Sequence, residues 1–443
     1  MVLQFKIGDE EFNDWVVMPE LSPDRLTLEC PEKEAVEVTF KTDQETRVIP
    51  VTLDQRSVRF NILVRDEVEA LTELKCIPQI ARYSGDFSAD RETAENFEAD
   101  ITPVLKTYFK PDEPGIAILI SEGDNTLYVN AIGISDYDTG APRTIDEAFE
   151  IASVSKEFTT VAILQLVEQN ALRLDDPLNK FFDDLPNGER ITIDHLLSHT
   201  HGLPQIRLAP DYDATIPRTL ENALAHIREQ GAMFEPGDQY EYGNISYYLL
   251  GVIAEQASGM DRETYVRERL FAPAGMTDSY LIFNRPQGSQ RVKGYNQLED
   301  SITPRTFETH ISHAFGAGDI VTTLNDLRRW QKAVSDGTLI AIETFEMAST
   351  LKTLNDGSQI ERGYSFVRGE FNGMPYIYNT GDFSTHTRVF YMPSRDLSIV
   401  LNTNGTHQYD DVESSVVLLQ VMGKVLNTQF LSFFGDEIDL NDP

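Results

Sequence analysis

The sequence predicts an α+β fold, in which an antiparallel sheet is flanked by helices and follows a small N-terminal all-β domain. Three observations support this prediction. The first 90 residues contain short β-branched runs between polar turns, two strand patterns near the C-terminus match an earlier apolar hairpin, and a long helical pattern lies between them. A chain of 443 residues is long enough for two domains. We therefore predict a β-rich accessory domain over 1–90, a larger domain over 91–434 and an acidic tail over 435–443.

The accessory domain is predicted from runs such as VLQFKI, VEVTF, TRVIPVT and SVRFNIL. Their length and spacing are typical of a small antiparallel sandwich or barrel. Both cysteines of the chain, Cys30 and Cys76, lie in this region. Two thiols in a chain without an export signal argue against a disulfide framework and favour buried small side chains.

The larger domain begins with a predicted hairpin over 115–120 and 127–131. Two later strand patterns, which contain Arg388 and Ile399, are expected to return to the same sheet. The helical region between them carries the other polar motifs, so a cleft between the sheet and the helices is the expected functional site.

The central helix carries the most informative pair of residues. Ser153 and Lys156 are three positions apart in IASVSKEFTTVAILQLVEQ, which places a hydroxyl and an amine on one face of a helix. Apolar residues from Val161 to Val167 predict a buried face that holds the helix in place. A lysine that is pushed toward neutrality can accept the proton of a serine nucleophile.

Two further motifs follow in the chain. Tyr242 and Asn244 flank a glycine in an extended turn before another helix, so their side chains are expected to point the same way. Asn379, Thr380 and Gly381 end a strand near the C-terminus.

Ser-x-x-Lys, Tyr-x-Asn and a strand that ends in Thr-Gly resemble the serine β-lactamase and penicillin-binding protein superfamily. The resemblance is to its class C β-lactamase-like branch of esterases, D-aminopeptidases and DD-peptidases. The segments HLLSHTHGLP (195–204), LDDP (174–177) and FGAG (315–318) are similar to further motifs of that branch. The resemblance covers about residues 97 to 430 and implies a β-lactamase/transpeptidase-like fold.

The resemblance also implies roles for individual residues. Ser153 would be the acylated nucleophile, and Lys156 and Tyr242 would relay its proton. Asn244 would orient the lysine and the substrate amide, and Asn379, Thr380 and Gly381 would line the substrate site. The backbone N–H groups of Ser153 and Asp382 would form the oxyanion hole.

The third motif departs from the family pattern, because Asn379 stands where lysine or histidine is usual. A neutral amide cannot supply the charge that grips a substrate carboxylate, which argues against efficient β-lactam hydrolysis. His386 and Arg388 lie on the same hairpin and offer a partial substitute. The general preference of long polar side chains for solvent nevertheless predicts that both are exposed.

His195, His199 and His201 present a spacing that would also suit zinc. Their context matches the metal-free loop of the family, so we predict hydrogen-bonded histidines, no metal and no cofactor.

The formal net charge of −35 disfavours nucleic acid and anionic membranes as partners. A small molecule or peptide is the expected substrate, and the absence of a signal-like or membrane-spanning segment predicts a cytoplasmic protein. The favoured function is a serine hydrolase that cleaves an ester, amide or peptide bond through an acyl-enzyme. A β-lactamase or DD-peptidase, and a non-catalytic binding protein on the same fold, remain as alternatives. The oligomeric state is left open.

Overall fold

The computed structural model describes residues 94–426, apart from 206–212, 214, 288–290, 299–300, 306–309, 361, 372–373 and 408–410. In the first 93 residues it describes only six strands. They are β1 (Val2–Ile7), β2 (Glu10–Trp15), β3 (Glu29–Cys30), β4 (Glu34–Thr42), β5 (Thr46–Thr52) and β6 (Val68–Pro78).

These six strands form two small sheets. Strand β1 pairs with β2 and β3 in one sheet, and β4 pairs antiparallel with β5 and β6 in the other. They agree with the predicted β-rich character of this region. The run SVRFNIL, the side chains of Cys30 and Cys76, and the tail over 435–443 lie outside the described residues, so those expectations remain predictions.

Residues Ala94–Leu418 form a compact unit around a six-stranded antiparallel sheet. Its strands are β7 (Ile116–Glu122), β8 (Asn125–Ile132), β16 (Val367–Phe371), β17 (Met374–Asp382), β18 (His386–Met392) and β19 (Leu397–Thr403). The order across the sheet is β16-β17-β18-β19-β7-β8. The early hairpin therefore joins the late strands through the β19–β7 pair, which confirms the predicted return of the C-terminal strands to the first sheet.

Short strands connect this sheet to the rest of the unit. They are β9 (Ile134–Asp136), β10 (Ala141–Pro142), β11 (Phe149–Glu150), β12 (Tyr280–Leu281), β13 (Tyr295–Leu298), β14 (Ser301–Pro304), β15 (Ile320–Thr322) and β20 (Gly405–His407). The pairing of β11 with β15 matters most, because β11 leads directly into the segment that carries Ser153.

The helices are α1 (Ala94–Tyr108), α2 (Ser155–Glu168), α3 (Ile193–Leu197), α4 (Leu220–Gln230), α5 (Ile245–Ser258), α6 (Arg262–Tyr265), α7 (Ala272–Ala274), α8 (Leu324–Ser335), α9 (Ile342–Ser349) and α10 (Asp411–Val425). A π-helical turn, Val266–Phe271, joins α6 to α7. No helix in the described part of the chain is long and apolar enough to cross a bilayer.

Helix α2 runs through the hydrophobic core. Its residues are buried on almost every side, including Thr159 and Thr160 as well as the predicted apolar face. The sequence pattern predicted a helix with one buried face, whereas this one has packing all round. Such a helix holds its first turn on a rigid support.

Candidate active site

Ser153 lies on a 3₁₀ turn, Ala152–Val154, between β11 and α2. The residue before it, Ala152, has a φ of 44°, in the left-handed region that a residue with a Cβ rarely adopts. Such a conformation persists only where the surroundings enforce it, and functional sites are where it is most often found. The turn presents Ser153 at the entrance to α2.

The Lys156 amine contacts three acceptors. Its Nζ lies 3.2 Å from Ser153 Oγ, 2.8 Å from Asn244 Oδ1 and 3.0 Å from the Ala317 carbonyl oxygen. A neutral amine has two N–H groups and one lone pair. Since two of the three directions end on oxygens that only accept, the lone pair of the neutral amine would point along the third, toward Ser153.

Tyr242 approaches the same serine from the other side. Its hydroxyl donates to Ser153 Oγ at 2.8 Å, and Lys156 Nζ lies 4.9 Å from the centre of its ring. Ser153 Oγ therefore has two proton-transfer groups within reach, and Asn244 holds the lysine rather than capping α5, because its side chain makes no capping hydrogen bond.

Burial lowers the pKa of Lys156, whose side chain is almost completely enclosed. Burial alone would raise the pKa of Tyr242, but the charge of Lys156, the hydrogen bonds to Lys156 and Ser153 and the charge of Arg362 outweigh it and lower that pKa. Both shifts increase the fraction of each group that is in its deprotonated, basic form near neutral pH.

The loop over 198–205 supports Tyr242 from beneath. The ring centroid of His199 lies 4.6 Å from that of Tyr242 and 5.1 Å from that of Tyr247. His199 Nδ1 accepts from Gly243 N at 3.4 Å, and Gln205 Nε2 donates to the Tyr242 carbonyl oxygen at 2.7 Å. Burial, and then the charge of Lys156, lower the pKa of His199 well below its usual value, so this ring packs as a neutral imidazole.

A second support holds the carbonyl group of Ala317. Asp319 Oδ2 accepts from Gly316 N at 2.9 Å, and Asp319 Oδ1 accepts from Arg262 Nη2 at 2.8 Å in a buried ion pair. Thr159 Oγ1, on α2, donates to the Gly316 carbonyl oxygen at 2.7 Å. Gly316 has a φ of 71° and lies so close to α5 that a Cβ would come within 2.4 Å of the Tyr247 carbonyl oxygen.

The end of β17 passes close to the Ser153 turn. A Cβ on Gly381 would lie 2.0 Å from the Ile151 carbonyl oxygen, so only glycine allows this approach. Thr380 is half-buried beside it.

Asn379 points away from the catalytic cluster. Its Nδ2 donates to Glu157 Oε1 and, at 2.7 Å, to the Ser365 carbonyl oxygen. Glu157 Oε2 accepts from Trp330 Nε1 at 2.8 Å. Burial raises the pKa of Glu157 to about 7, although these two hydrogen bonds lower it. The Asn379 amide thus makes an inward contact with α2, and its contact with substrate stays a prediction.

The prediction that His386 and Arg388 are exposed is wrong, because each side chain is almost completely buried. His386 Nδ1 donates to Asp382 Oδ1 at 2.7 Å, and Arg388 Nη1 donates to the same oxygen at 2.6 Å. His386 Nε2 accepts from Arg305 Nη1 at 2.8 Å, which fixes its tautomer. Burial would raise the pKa of Asp382, but His386 and Arg388 outweigh it and lower that pKa. His386 and Arg388 thus hold the turn that presents the Asp382 backbone.

The other two histidines of the loop make local hydrogen bonds. His195 forms a capping box with Thr192 at the start of α3, and His201 Nδ1 accepts from Leu203 N at 2.8 Å. Within the described residues no three His, Cys, Asp or Glu side chains are grouped to hold a metal ion.

The structure brings Ser153, Lys156, Tyr242 and Asn244 together. Sequence reasoning missed three contributors: Glu157, the Arg262 to Asp319 pair, and Arg362. The guanidinium carbon of Arg362 lies 5.6 Å from the Tyr242 ring centroid. Glu157 was detectable as an acidic residue in an apolar helix, whereas neither arginine belongs to a motif.

The family model described as Beta-lactamase matches residues 96–438. The chain belongs to the Beta-lactamase family. Within this family it is 28% identical over 266 residues to penicillin-binding protein 4* of Bacillus subtilis (strain 168), a match that covers 56% of this chain and 58% of that protein. It is 26% identical over 282 residues to the D-aminopeptidase of Brucella anthropi, which covers 62% and 52% respectively. The chain thus spans little more than half the length of these two relatives.

Two solved structures share the fold. A D-amino acid amidase from Ochrobactrum anthropi SV3 in complex with D-phenylalanine superposes with a TM-score of 0.65 at 21% identity, over 75% of this chain and 100% of that one. An octameric penicillin-binding protein homologue from Pyrococcus abyssi gives a TM-score of 0.63 at 24% identity, over 76% and 78%. Family and fold therefore place the chain in the serine β-lactamase and penicillin-binding protein superfamily.

Proposed function

We propose that this protein is a serine hydrolase that cleaves an ester, amide or peptide bond through an acyl-enzyme on Ser153. The observation that carries the proposal is the position of Ser153 Oγ, 3.2 Å from the Lys156 amine and 2.8 Å from the Tyr242 hydroxyl. A non-catalytic protein would have no use for a buried amine whose lone pair points at a serine hydroxyl.

The proposed reaction has two steps. Ser153 Oγ attacks the carbonyl carbon while its proton passes to Lys156 or to a Tyr242 phenolate, and the bond to the leaving group breaks as the leaving group takes up that proton. Water then attacks the acyl carbon and gives a proton to the same pair. The bond from that carbon to Ser153 Oγ breaks as Oγ takes up this proton, which releases the acid and regenerates the serine. The negative charge on the carbonyl oxygen would be stabilised by the N–H groups of Ser153 and Asp382.

The supporting residues have positioning roles in this proposal. Asn244 and the Ala317 carbonyl group keep the lysine directed at Ser153, and the Arg262 to Asp319 pair keeps Ala317 in place. Asp382 is held through His386 and Arg388, so the second oxyanion donor rests on an ion-paired turn rather than a free loop.

Esterase or peptidase activity is favoured over β-lactam hydrolysis, because Asn379 carries no charge and is engaged with Glu157. The relatives named penicillin-binding protein and D-aminopeptidase are consistent with a substrate of the peptide or amide class.

A fluorophosphonate probe tests the proposal. We expect the probe to label Ser153, as located by peptide mapping, and Ser153→Ala to lose both labelling and turnover of p-nitrophenyl acetate. Ser155→Ala is the matched control for a neighbouring hydroxyl, because Ser155 is buried and its Oγ accepts from Ile320 N. Label on any other serine, or turnover that survives in Ser153→Ala, would refute the acyl-enzyme.

A further inference from the structure

Arg362 brings a cation to the catalytic cluster from a segment outside every motif. It follows α9, and its carbonyl oxygen accepts from Lys352 N at 3.0 Å. The next residue, Gly363, packs so closely on the end of α9 that a Cβ would lie 2.1 Å from the Ala348 carbonyl oxygen. The backbone of Arg362 is thus held at its carbonyl group and at the following glycine, while its side chain is only half-buried and extends over the Tyr242 ring.

The guanidinium group of Arg362 has no carboxylate partner among the residues that the structure describes. This distinguishes it from the other basic residues of the site. Lys156 is enclosed by three oxygen acceptors, and Arg388 is paired with Asp382. An arginine side chain offers several N–H donors in a planar fork, and the Arg362 side chain is partly exposed beside the Tyr242 ring.

The family position that usually carries a cation cannot supply one here. Asn379 is neutral and its amide is bound to Glu157 and Ser365. The net charge of −35 also makes the general field around the protein unfavourable to anions. A carboxylate-bearing substrate would need a local cation beside Ser153, and Arg362 is placed to provide it.

We propose that Arg362 is a specificity-determining residue that binds a carboxylate of the substrate close to the scissile bond. This inference rests on the proposed hydrolase function, because it concerns the substrate of the same Ser153 site. The carboxylate belongs either to the acyl part or to the leaving group, and both would be recognised by the same bidentate contact.

Two pairs of ester substrates show whether the carboxylate lies on the acyl part or on the leaving group. The leaving-group pair is 3-acetoxybenzoate and its methyl ester, and the acyl pair is the mono-p-nitrophenyl ester of adipic acid with its second carboxyl free or methylated. Within each pair the quantity measured is the ratio of kcat/KM for the anionic substrate to that for the neutral one. Effects of Arg362 on the Tyr242 pKa cancel in this ratio, because both substrates meet the same enzyme at the same pH.

We expect Arg362→Gln to lower the ratio roughly 10- to 100-fold in one of the two pairs, which identifies the source of the carboxylate. Arg362→Lys should give an intermediate ratio, since it keeps the charge and loses the fork. The control is Arg267→Gln, which makes the same change in net charge at an exposed arginine paired with Glu268. It should leave both ratios unchanged.

These measurements distinguish a failure of the Arg362 proposal from a failure of the proposed hydrolase function. If the probe labels Ser153 and the esters are hydrolysed, but neither ratio differs between wild type and Arg362→Gln, the role of Arg362 is refuted and the hydrolase stands. An equal fall in Arg267→Gln would also refute it, because a long-range field would then explain the effect. If Ser153 is not labelled, both proposals fail together.

Discussion

Replacing Glu157 with glutamine should remove a pH dependence from the stability of the folded protein. Glu157 is buried beside Lys156 on α2, and burial raises its pKa from an ordinary 4.5 to about 7. The folded state therefore holds this proton more tightly than the unfolded chain does. The resulting stability is fully present below pH 4.5 and is lost as the pH rises through 7.

The magnitude follows from the two pKa values. One pKa unit corresponds to about 1.4 kcal/mol, so the full effect is about 3 kcal/mol, of which about 2 kcal/mol falls between pH 5.5 and pH 8.5. Glutamine does not titrate, so Glu157→Gln loses this pH-dependent contribution to the free energy of unfolding. The variant also leaves one N–H donor, from Asn379 or from Trp330, without its acceptor. That loss costs about 1 to 3 kcal/mol at every pH. The variant should thus be less stable than wild type at both pH values, and the deficit should be about 2 kcal/mol larger at pH 5.5 than at pH 8.5.

Urea unfolding followed by tryptophan fluorescence measures this difference. The chain has two tryptophans, so a Trp15→Phe background leaves Trp330, which contacts Glu157, as the reporter. Buried neutral histidines such as His199 titrate equally in both proteins and cancel in the comparison. Glu229→Gln, on the exposed face of α4, is the matched control and should run parallel to wild type. Parallel curves for Glu157→Gln as well would refute the raised pKa of Glu157.

Two further changes test the proton relay. Lys156→Ala and Tyr242→Phe should each lower kcat for p-nitrophenyl acetate by about 100-fold or more. Because both groups transfer the same proton, the loss in the double variant should be far smaller than the product of the two single losses. A double variant whose loss equals that product would show that the two groups act independently. His199→Asn keeps a residue that tolerates a positive φ but removes the ring beneath Tyr242, so the rate of Ser153 labelling should fall about 10- to 100-fold. In a Tyr242→Phe background it should have little further effect, and an undiminished fall there would mean that His199 does not act through Tyr242.

Local spacing predicted the centre of this site because helical geometry leaves little choice. A serine and a lysine three residues apart at the start of a helix must share a face, and Tyr242 and Asn244 in an extended turn must point the same way. The six-stranded sheet followed from strand patterns at both ends of the chain. These features depend on residues that are near one another in sequence or on a simple repeat.

The features that sequence did not predict depend on tertiary contacts. A strand period of two restricts Asn379 to one of two faces, but the register of β17 against α2 decides which, and it directs the amide to Glu157. The rule that long charged side chains lie in solvent failed for Arg388, because Asp382 and Ser415 satisfy it inside the protein. Arg362 reaches Tyr242 only because the segment after α9 packs against this region.

The adjacent residues Lys156 and Glu157 bear on why the proposed contact with a substrate carboxylate is made by Arg362, at the edge of the cleft. Burial moves their pKa values in opposite directions, and each shift favours the neutral form. A lysine at position 379 would lie beside Glu157, ionise it and spend its charge in a buried pair rather than on substrate. Asparagine instead keeps a hydrogen bond to Glu157 without bringing in a charge. Among the residues that the structure describes, Lys156 is enclosed by oxygen acceptors and Arg388 is paired with Asp382, so we expect recognition of a substrate carboxylate to come from Arg362, above the Tyr242 ring.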